Sequence, residues 1–491
     1  MHHHRRIKGT MLLALPGVFL LALLASGVEP PADEGLEQLG KKIGAVVKAA
    51  DLKGARVGIH VMDAETGETV YALNDKEALN PASGIKVATA LAALVYLGPE
   101  ATFTTTLLAD PPLKGKVKKV YLRGSGDPSL RTSDLRDLAD GLAARGVTEV
   151  TAGIVVDGSR FDDEVLPYGF DHCPASDAES AFRAPVGGVT VNAGTLQIRV
   201  LPGAGPGAPA MVSVFPRGYV DLENATVTQK DVKTALKLST WAEGGRMKVK
   251  IWGAVSSTYK GGLFSRRAED PLALAGFGLA QVLEERGIAV GKKVEKGHVP
   301  GSAVRVAAAT SEPLSSLLLD VGKASRNVVA EQLLKAIGAE VKGAPGSGAK
   351  GAEAVMELLG RAGIDTAAVT YRNGSGLYDA NAVSASALAK LLRYAYGSPE
   401  IAPEFLSQLA LGGVDGTLAG RLGTPEARRH VRAKTGTQKG MTSLSGYVLA
   451  PPGKPTLCFS IIVNDAQGRV GYFRSFQDRI VGEMAAWLYP E

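Results

Sequence analysis

The chain has 491 residues, of which 45% are hydrophobic and 21% charged, and its formal net charge is +6 at pH 7. This length exceeds one ordinary hydrophobic core, so a globular chain of two or three domains is expected. Basic and acidic residues are mixed along the chain, which argues against nucleic acid as a partner.

The first 27 residues have the pattern of an export signal. Residues 2–8 are basic, Met11–Leu24 is apolar, and residues 25–27 form a small-residue cleavage site. The apolar run is shorter than the ~20 residues that a membrane-spanning helix needs. We therefore expect a signal peptide over residues 1–27, a periplasmic protein of net charge about +3 and no stable membrane span after cleavage.

The next segment predicts half of an α/β sandwich. Apolar residues at helical spacing predict a helix over residues 35–50, and alternation predicts strands over Arg56–Met62 and Glu68–Leu73. A buried apolar helix then runs to Leu97. Ser83 and Lys86 stand three residues apart at its start, so both side chains lie on one face.

The Ser83–Lys86 pair has the spacing of a nucleophile and its base. A lysine in the first turn of a buried helix is partly removed from water, which favours the neutral amine, and such an amine can take a proton from a neighbouring hydroxyl. A helix cap beside a surface lysine is an equal alternative for this pair alone. The same spacing occurs at Ser257–Lys260 and Ser347–Lys350, where no apolar helix follows.

The sequence pattern between residues 101 and 304 differs from that of the preceding segment. Short runs rich in β-formers alternate with turns of glycine, proline and aspartate, which predicts one or two inserted β-rich modules. The predicted strands are Phe103–Leu108, Val117–Arg123, Gly153–Val156, Leu196–Leu201 and Met247–Trp252.

Helices return after Arg305. One amphipathic helix is predicted over Leu314–Gly338, followed by helices over Ala352–Gly363 and Ala385–Tyr396. Further strands are predicted at Arg432–Thr437, Ser443–Leu449 and Leu457–Val463, and a last helix over Tyr472–Leu488 whose charged side faces water.

Three short motifs stand in order along the chain. They are Ser83-x-x-Lys86, Ser325-x-Asn327 and Lys434-Thr435-Gly436, with Thr437 next. The order, and the element on which each motif falls, favour a common active site over three unrelated caps and turns.

These motifs resemble those of the low-molecular-mass class C penicillin-binding proteins, the D-alanyl-D-alanine carboxypeptidase/endopeptidases of the S13 peptidase family. The long separation of Lys86 from Ser325 is similar to that family, which inserts extra domains there. Further matching stretches are Tyr121–Leu130, Val155–Phe161, Asn373–Leu377, Asp415–Thr417 and Leu444–Val448.

The resemblance implies an α/β fold of the penicillin-binding-protein and serine β-lactamase type, an antiparallel sheet flanked by helices. It implies a catalytic domain of residues 28–100 plus 305–491, with residues 101–304 as one insertion or two nested ones. Because all three motifs lie outside the insertion, we expect that acyl transfer does not need it.

The resemblance also implies a role for each motif residue. Ser83 would form an acyl-enzyme on D-Ala-D-Ala stem peptides of peptidoglycan, or on a β-lactam, with Lys86 as its base. Ser325 and Lys434 would relay the proton, and Asn327 would bind the substrate amide. Thr435, Gly436 and Thr437 would bind the substrate, its carboxylate being held by Lys434 and the two threonines. The N–H groups of Ser83 and Thr437 would form the oxyanion hole.

Two positions depart from the family pattern. Arg326 stands where aspartate is usual, and Gly84 where threonine is common. Neither supplies a catalytic atom, so the expected reaction is unchanged. A serine β-lactamase and a wall-binding scaffold without turnover remain the alternatives.

The sequence predicts neither a metal nor a cofactor. Its histidines lack ligand spacing, and Cys458, in an apolar strand, is expected to be a buried free thiol rather than paired with Cys173. The oligomeric state is left open.

Overall fold

The structure is a computed structural model that describes residues 33–291 and 293–490. The predicted signal peptide lies outside these residues. The helices are α1 (Asp33–Lys48), α2 (Lys86–Leu97), α3 (Thr132–Ala143), α4 (Pro271–Glu285), α5 (Leu314–Gly322), α6 (Asn327–Val341), α7 (Gly348–Arg361), α8 (Ala385–Tyr396), α9 (Ala402–Gln408) and α10 (Val470–Leu488).

The strands include every one that the sequence predicts. They are β1 (Arg56–Asp63), β2 (Thr69–Leu73), β3 (Thr104–Ala109), β4 (Gly115–Gly124), β5 (Val147–Asp157), β6 (Thr195–Leu201), β7 (Met211–Phe215), β8 (Val220–Gln229), β9 (Ala235–Glu243), β10 (Arg246–Ser256), β11 (Gly262–Arg267), β12 (Ala289–Val290), β13 (Val294–Lys296), β14 (Val304–Thr310), β15 (Ala410–Leu411), β16 (Val431–Gln438), β17 (Met441–Val448) and β18 (Leu457–Asn464).

One six-stranded sheet joins the two ends of the chain. Its order is β15-β16-β17-β18-β1-β2, and every neighbouring pair is antiparallel. All eight residues of β18 are buried, because α1 and α10 pack on one face of the sheet and α2 and α8 on the other. This confirms the predicted antiparallel sheet flanked by helices.

Strands β3 to β14 form three further sheets. The largest has the order β12-β5-β4-β3-β14 with β13 beside β5, and the other two are β8-β10-β9 and β11-β6-β7. Helices α3 and α4 pack with these strands into a second core and were missed in the β-rich prediction. The Asp270-Pro271 pair, whose carboxylate caps α4, was the available signal.

The prediction of a single helix over Leu314–Gly338 is wrong, because the structure has two helices there, α5 and α6. Ser325 adopts a left-handed backbone with φ +57°, and a right-handed helix cannot continue through such a residue. The break turns the chain at the Ser325-x-Asn327 motif, and Asn327 becomes the first residue of α6. Such strained residues are frequent at functional sites.

Cys458 is a buried free thiol whose Sγ lies 3.7 Å from the Ala389 carbonyl oxygen, as predicted, and Cys173 is also free. Among the residues described, each helix is too short or too polar to cross a membrane.

Candidate active site

Ser83 and Lys86 meet at the start of the buried helix α2. Ser83 lies in a short 3-10 turn, Ala82–Ile85, and Lys86 begins the α-helix. Lys86 Nζ lies 2.8 Å from Ser83 Oγ. The sequence predicted this contact, although it placed both residues in one regular helix.

Three oxygen atoms lie within hydrogen-bond distance of the Lys86 amine. Besides Ser83 Oγ, these are Asn327 Oδ1 at 2.8 Å and the Ser375 carbonyl oxygen at 2.6 Å. The side chain is fully buried, and this burial, with the nearby Lys434, holds the pKa of Lys86 well below its usual value. A neutral amine has two N–H donors for Asn327 and Ser375, which leaves its lone pair directed at the Ser83 hydroxyl.

Ser325 and Lys434 form a second hydroxyl–amine pair. Lys434 Nζ donates to Ser325 Oγ at 2.8 Å and to the Thr435 carbonyl oxygen at 2.7 Å. Burial lowers the pKa of Lys434 to about 7. Since the ammonium and the neutral amine are both populated near that pH, Lys434 can carry a proton in either direction.

Asn327 links Lys86 to the segment predicted as an insertion. Its Oδ1 accepts from Lys86, and its Nδ2 donates to the Phe182 carbonyl oxygen at 3.0 Å. Phe182 belongs to residues 101–304, so the predicted insertion contacts a residue of the second motif, Ser325-x-Asn327. The sequence predicts that acyl transfer does not need residues 101–304. The hydrogen bond between Asn327 and Phe182 argues against that prediction.

The strand β16 forms one wall of the site. Gly436 is required there, because a Cβ at this position would lie 2.3 Å from the Pro81 carbonyl oxygen and 2.2 Å from Ser443 Oγ. This close approach brings β16 against the turn that carries Ser83. Thr435 and Thr437 flank the glycine, and Thr435 Oγ1 lies 2.7 Å from Thr417 Oγ1.

A cleft of about 340 Å³ opens over these groups. Arg474 of α10 reaches it and donates to Thr437 Oγ1 at 2.9 Å, while Arg421 is held by Asp478 at 2.7 Å. Lys434 is buried behind the wall of the cleft rather than lining it. The lining residues are Ser83, Ser325, Thr417, Arg421, Thr435, Thr437 and Arg474.

A larger cavity of about 450 Å³ lies elsewhere, between residues 164–168 and α7, and contains none of the predicted site residues. We assign the site to the smaller cleft because the two buried lysines and their hydroxyls converge there. Perturbed lysines beside hydroxyls are the groups that covalent catalysis needs, whereas cavity size alone is not specific.

The structure also decides between the three Ser-x-x-Lys matches. Ser347 Oγ accepts from the Lys350 backbone N–H at 3.0 Å, so it is the N-cap of α7, and Lys350 Nζ donates to nearby carbonyl oxygens. Ser257 follows the end of β10 and precedes a glycine-rich turn. Of the three, Ser83–Lys86 has the hydroxyl–amine contact.

Sequence reasoning missed four groups of the site. The sequence places Arg474 on the charged, water-facing side of the last helix, where it is indeed exposed. It does not predict the other three groups, which are Arg421, the Ser375 carbonyl and the Phe182 carbonyl. Backbone carbonyls carry no sequence signal. Arg474 and Arg421 enter the site through tertiary packing of α10, which periodicity does not reveal.

Comparisons with known proteins show which family this chain is similar to. The model of the D-Ala-D-Ala carboxypeptidase 3 (S13) family matches residues 39–482. A D-alanyl-D-alanine carboxypeptidase of Actinomadura sp. (strain R39) is 35% identical over 476 residues, covering 93% of this chain and 87% of that protein. The carboxypeptidase DacB of Haemophilus influenzae is 27% identical over 419 residues, covering 82% of this chain and 84% of its own.

The fold has relatives among solved structures. The crystal structure of penicillin binding protein 4 (dacB) from Haemophilus influenzae has a TM-score of 0.75 at 23% identity and covers 90% of this chain and 99% of its own. A predatory peptidoglycan endopeptidase from Bdellovibrio bacteriovorus has a TM-score of 0.50 at 15% identity, covering 88% and 94%. These likenesses support the fold that the sequence predicted.

Proposed function

The chain belongs to the D-Ala-D-Ala carboxypeptidase 3 (S13) family, and we propose that Ser83 is the nucleophile of its serine DD-peptidase reaction. The single observation that carries the assignment is the contact of Ser83 with the buried Lys86, whose amine has two other acceptors to fix its orientation. A hydroxyl beside an amine of lowered pKa is an activated nucleophile.

Acylation follows from this geometry. Lys86 takes the proton of Ser83 while Oγ attacks the carbonyl carbon of the penultimate D-alanine, and the N–H groups of Ser83 and Thr437 receive the developing oxyanion. The peptide bond then breaks. The leaving amine receives a proton through Ser325 and Lys434, which the 2.8 Å contact joins. Water next attacks the ester carbonyl while Lys86 takes one of its protons; the ester bond then breaks, Ser83 Oγ receives that proton from Lys86, and the shortened peptide leaves with a new terminal carboxyl group.

The substrate carboxylate fits the outer part of the cleft. The hydroxyls of Thr435 and Thr437 face this space, and the Arg474 guanidinium lies 2.9 Å from Thr437 Oγ1. Arginine is suited to a carboxylate because its planar group donates two parallel hydrogen bonds. We assign Arg474 to this contact alongside Thr435, Gly436 and Thr437, with the buried Lys434 adding charge from behind.

The same reaction accepts two kinds of leaving group. A terminal D-alanine and a D-Ala–diaminopimelate cross-link both place a free carboxylate beside the amine that leaves, so carboxypeptidase and DD-endopeptidase activities need the same contacts. A β-lactam carries a corresponding carboxylate and acylates Ser83 without a departing amine. This supports covalent inhibition by penicillin.

Covalent labelling tests the nucleophile. Purified protein is incubated with a fluorescent penicillin and separated by denaturing electrophoresis. Wild type and Ser347→Ala should be labelled, because Ser347 only caps α7. Ser83→Ala should stay dark, since loss of a serine nucleophile costs on the order of 10⁶ in turnover. A labelled Ser83→Ala protein would overturn the assignment.

The two alternatives give different results in that experiment. A wall-binding scaffold would leave wild type dark, and the intact hydroxyl–amine contacts argue against it. A β-lactamase would be labelled only briefly, because water hydrolyses its acyl-enzyme rapidly. A label that persists while D-alanine is released from peptides supports the peptidase.

The proposed DD-peptidase function includes a division into domains and export of the protein from the cytoplasm. Residues 28–100 and 305–491 would form the catalytic domain and residues 101–304 the insertion, with the closing strand β14 continuing to Thr310 beside β3. Action on peptidoglycan requires export, for which residues 1–27 would be the signal. Mass measurement of the secreted protein would test cleavage after residue 27.

A further inference from the structure

A buried carboxylate outside the three motifs lies close to the catalytic lysine. Glu331 is 3% exposed and lies on α6, one turn after Asn327. Helix periodicity puts residues four apart on one face, so Glu331 points toward the region that Asn327 enters. An ionised carboxylate is costly to bury without hydrogen bonds, which makes its contacts informative.

Both oxygens of Glu331 accept hydrogen bonds from one loop. Oε1 accepts from the Ser375 N–H at 2.8 Å, and Oε2 from the Gly374 N–H at 3.1 Å. A protonated carboxyl group would turn its O–H against one of these donors, so the geometry suits the ionised form. Burial nevertheless raises the pKa of Glu331.

The loop held by Glu331 supplies an acceptor to Lys86. The Ser375 carbonyl oxygen lies 2.6 Å from Lys86 Nζ. Thr89 lies about one turn after Lys86 on α2. It holds the same loop by donating to the Gly374 carbonyl oxygen at 2.7 Å. The loop can approach α6 because position 374 is glycine; a Cβ there would lie 2.7 Å from the Ala330 carbonyl oxygen.

We propose that Glu331 is a positioning residue for Lys86, acting through the Gly374–Ser375 backbone. By fixing the Ser375 carbonyl it fixes one N–H of the neutral amine, and Asn327 fixes the other. The lone pair of Lys86 is then directed at Ser83. When Lys86 takes the serine proton, the negative charge of Glu331 stabilises the ammonium that forms. This rests on the proposed role of Lys86 as base.

The charged groups around Lys86 act in opposite directions on its pKa. Burial lowers the pKa of Lys86 most, Lys434 from β16 lowers it further, and Glu331 from α6 raises it. The other contacts, Ser83, Asn327 and the Ser375 carbonyl, are uncharged. Removing the charge of Glu331 should therefore lower the pKa of Lys86 further.

The test is the rate of acylation by a β-lactam measured across pH. Glu331→Gln should acylate about 100-fold more slowly than wild type, because the lone pair is no longer held in place. Its acid limb, which reports deprotonation of Lys86, should move to lower pH, because the charge of Glu331 raises the pKa of Lys86. Glu340→Gln is the matched control: the same change on the same helix, at an exposed residue paired with Arg160.

A second variant covers the case in which Glu331→Gln does not fold. Glu331→Asp keeps the charge but shortens the side chain, so acylation should slow while the acid limb stays at the wild-type pH. A wild-type rate in either variant, or an unmoved acid limb in folded Glu331→Gln, would overturn the proposal. The Ser83→Ala labelling result would be unaffected, so the two proposals fail separately.

Discussion

Gly84 and Ser443 are fitted to each other where the turn that carries the nucleophile meets β17. A Cβ at Gly84 would lie 2.5 Å from Ser443 Oγ, which donates to the Pro81 carbonyl oxygen at 2.6 Å. The family that the motifs resemble commonly has threonine at position 84. In this chain the hydroxyl of Ser443 occupies the space beside the nucleophile, so the glycine belongs to an altered packing arrangement rather than to a loosened turn.

This fit predicts coupled effects of two substitutions. Gly84→Ala should lower the free energy of unfolding by about 1–3 kcal/mol, because the added carbon meets a buried oxygen. In the Gly84→Ala/Ser443→Ala double variant the nearest atoms would be Cβ of Ser443 and Cβ of Pro81, each at an ordinary 3.5 Å. Urea unfolding of the two single variants and the double variant measures the coupling. Strictly additive losses would contradict the fit.

Replacing Lys86 tests whether it acts as a base or only as a charge. Lys86→Arg keeps the positive charge but cannot give up its proton near neutral pH. It should therefore slow acylation by a β-lactam about 10²- to 10⁴-fold, close to the loss in Lys86→Ala. Stopped-flow acylation rates provide the comparison. Acylation of Lys86→Arg near the wild-type rate would reduce Lys86 to an electrostatic role.

The sequence predicted the sheet and the three motifs because their signals are local. The short runs of strand-forming residues in β16, β17 and β18 and the apolar run of α2 are visible without tertiary structure. The break between α5 and α6 was not visible, since Lys323–Arg326 contains neither glycine nor proline. The left-handed backbone at Ser325 is stable only within the folded site, where Lys434 donates to its hydroxyl.

The contacts that surround the motifs depend on distant parts of the chain. Phe182 reaches Asn327 through a backbone carbonyl, and Arg474 reaches Thr437 from the last helix. Neither contact follows from spacing or periodicity. Glu331 had a partial signal, because it lies four residues after Asn327 on a predicted helix, but its loop contacts appear only in three dimensions.

The burial of Lys434 predicts a trade between stability and activity. Burial lowers the pKa of Lys434 to about 7, whereas an ordinary lysine titrates near 10.5. Between these values the unfolded chain binds more protons than the folded one, so the contribution of Lys434 to stability improves as pH rises from 7 toward 10.5. Below pH 7 the folded protein carries the buried ammonium and the destabilisation is greatest.

Lys434→Met should therefore be more stable than wild type below pH 7, by on the order of a few kcal/mol, and the advantage should shrink toward pH 10.5. Acylation should be lost. Unfolding by urea at about pH 6, 8 and 10 measures the trend. The control is Lys439→Met, which removes an exposed lysine from the following turn and should show no such dependence. A Lys434→Met protein that is less stable at every pH would contradict the prediction.

The contact of Phe182 with Asn327 predicts that the inserted segment affects acylation. The neighbouring Arg183 is buried and donates to the Phe170 and Ala178 carbonyl oxygens, which ties the loop together. Arg183→Ala should release the loop and slow acylation about 10-fold or more, since small displacements of positioning groups reduce rates. The exposed Arg217→Ala in the same insertion is the control. If both variants acylate as wild type does, the insertion is dispensable for acyl transfer, as the sequence first predicted.

The last prediction concerns the contact between Arg474 and Thr437. If Arg474 holds the carboxylate beside the departing amine, Arg474→Ala should slow release of D-alanine from a pentapeptide about 10- to 100-fold. A charge-assisted hydrogen bond of this kind contributes about 1.5–3 kcal/mol. Arg479, an exposed arginine on the same helix, supplies the matched control, and Arg479→Ala should behave as wild type.

Both proposed activities should fall together in this variant, because a terminal D-alanine and a cross-linked diaminopimelate residue present the same carboxylate. Thr437→Val should act in the same direction, since it removes the hydroxyl that accepts from Arg474 at 2.9 Å. Chromatography of muropeptides measures the two reactions in one digest, as D-alanine lost from monomers and as dimers converted to monomers. A variant that loses one activity and keeps the other would show that the two leaving groups are bound by different residues. Loss of both in equal proportion, with acylation by a neutral ester substrate unchanged, would place Arg474 and Thr437 at the carboxylate.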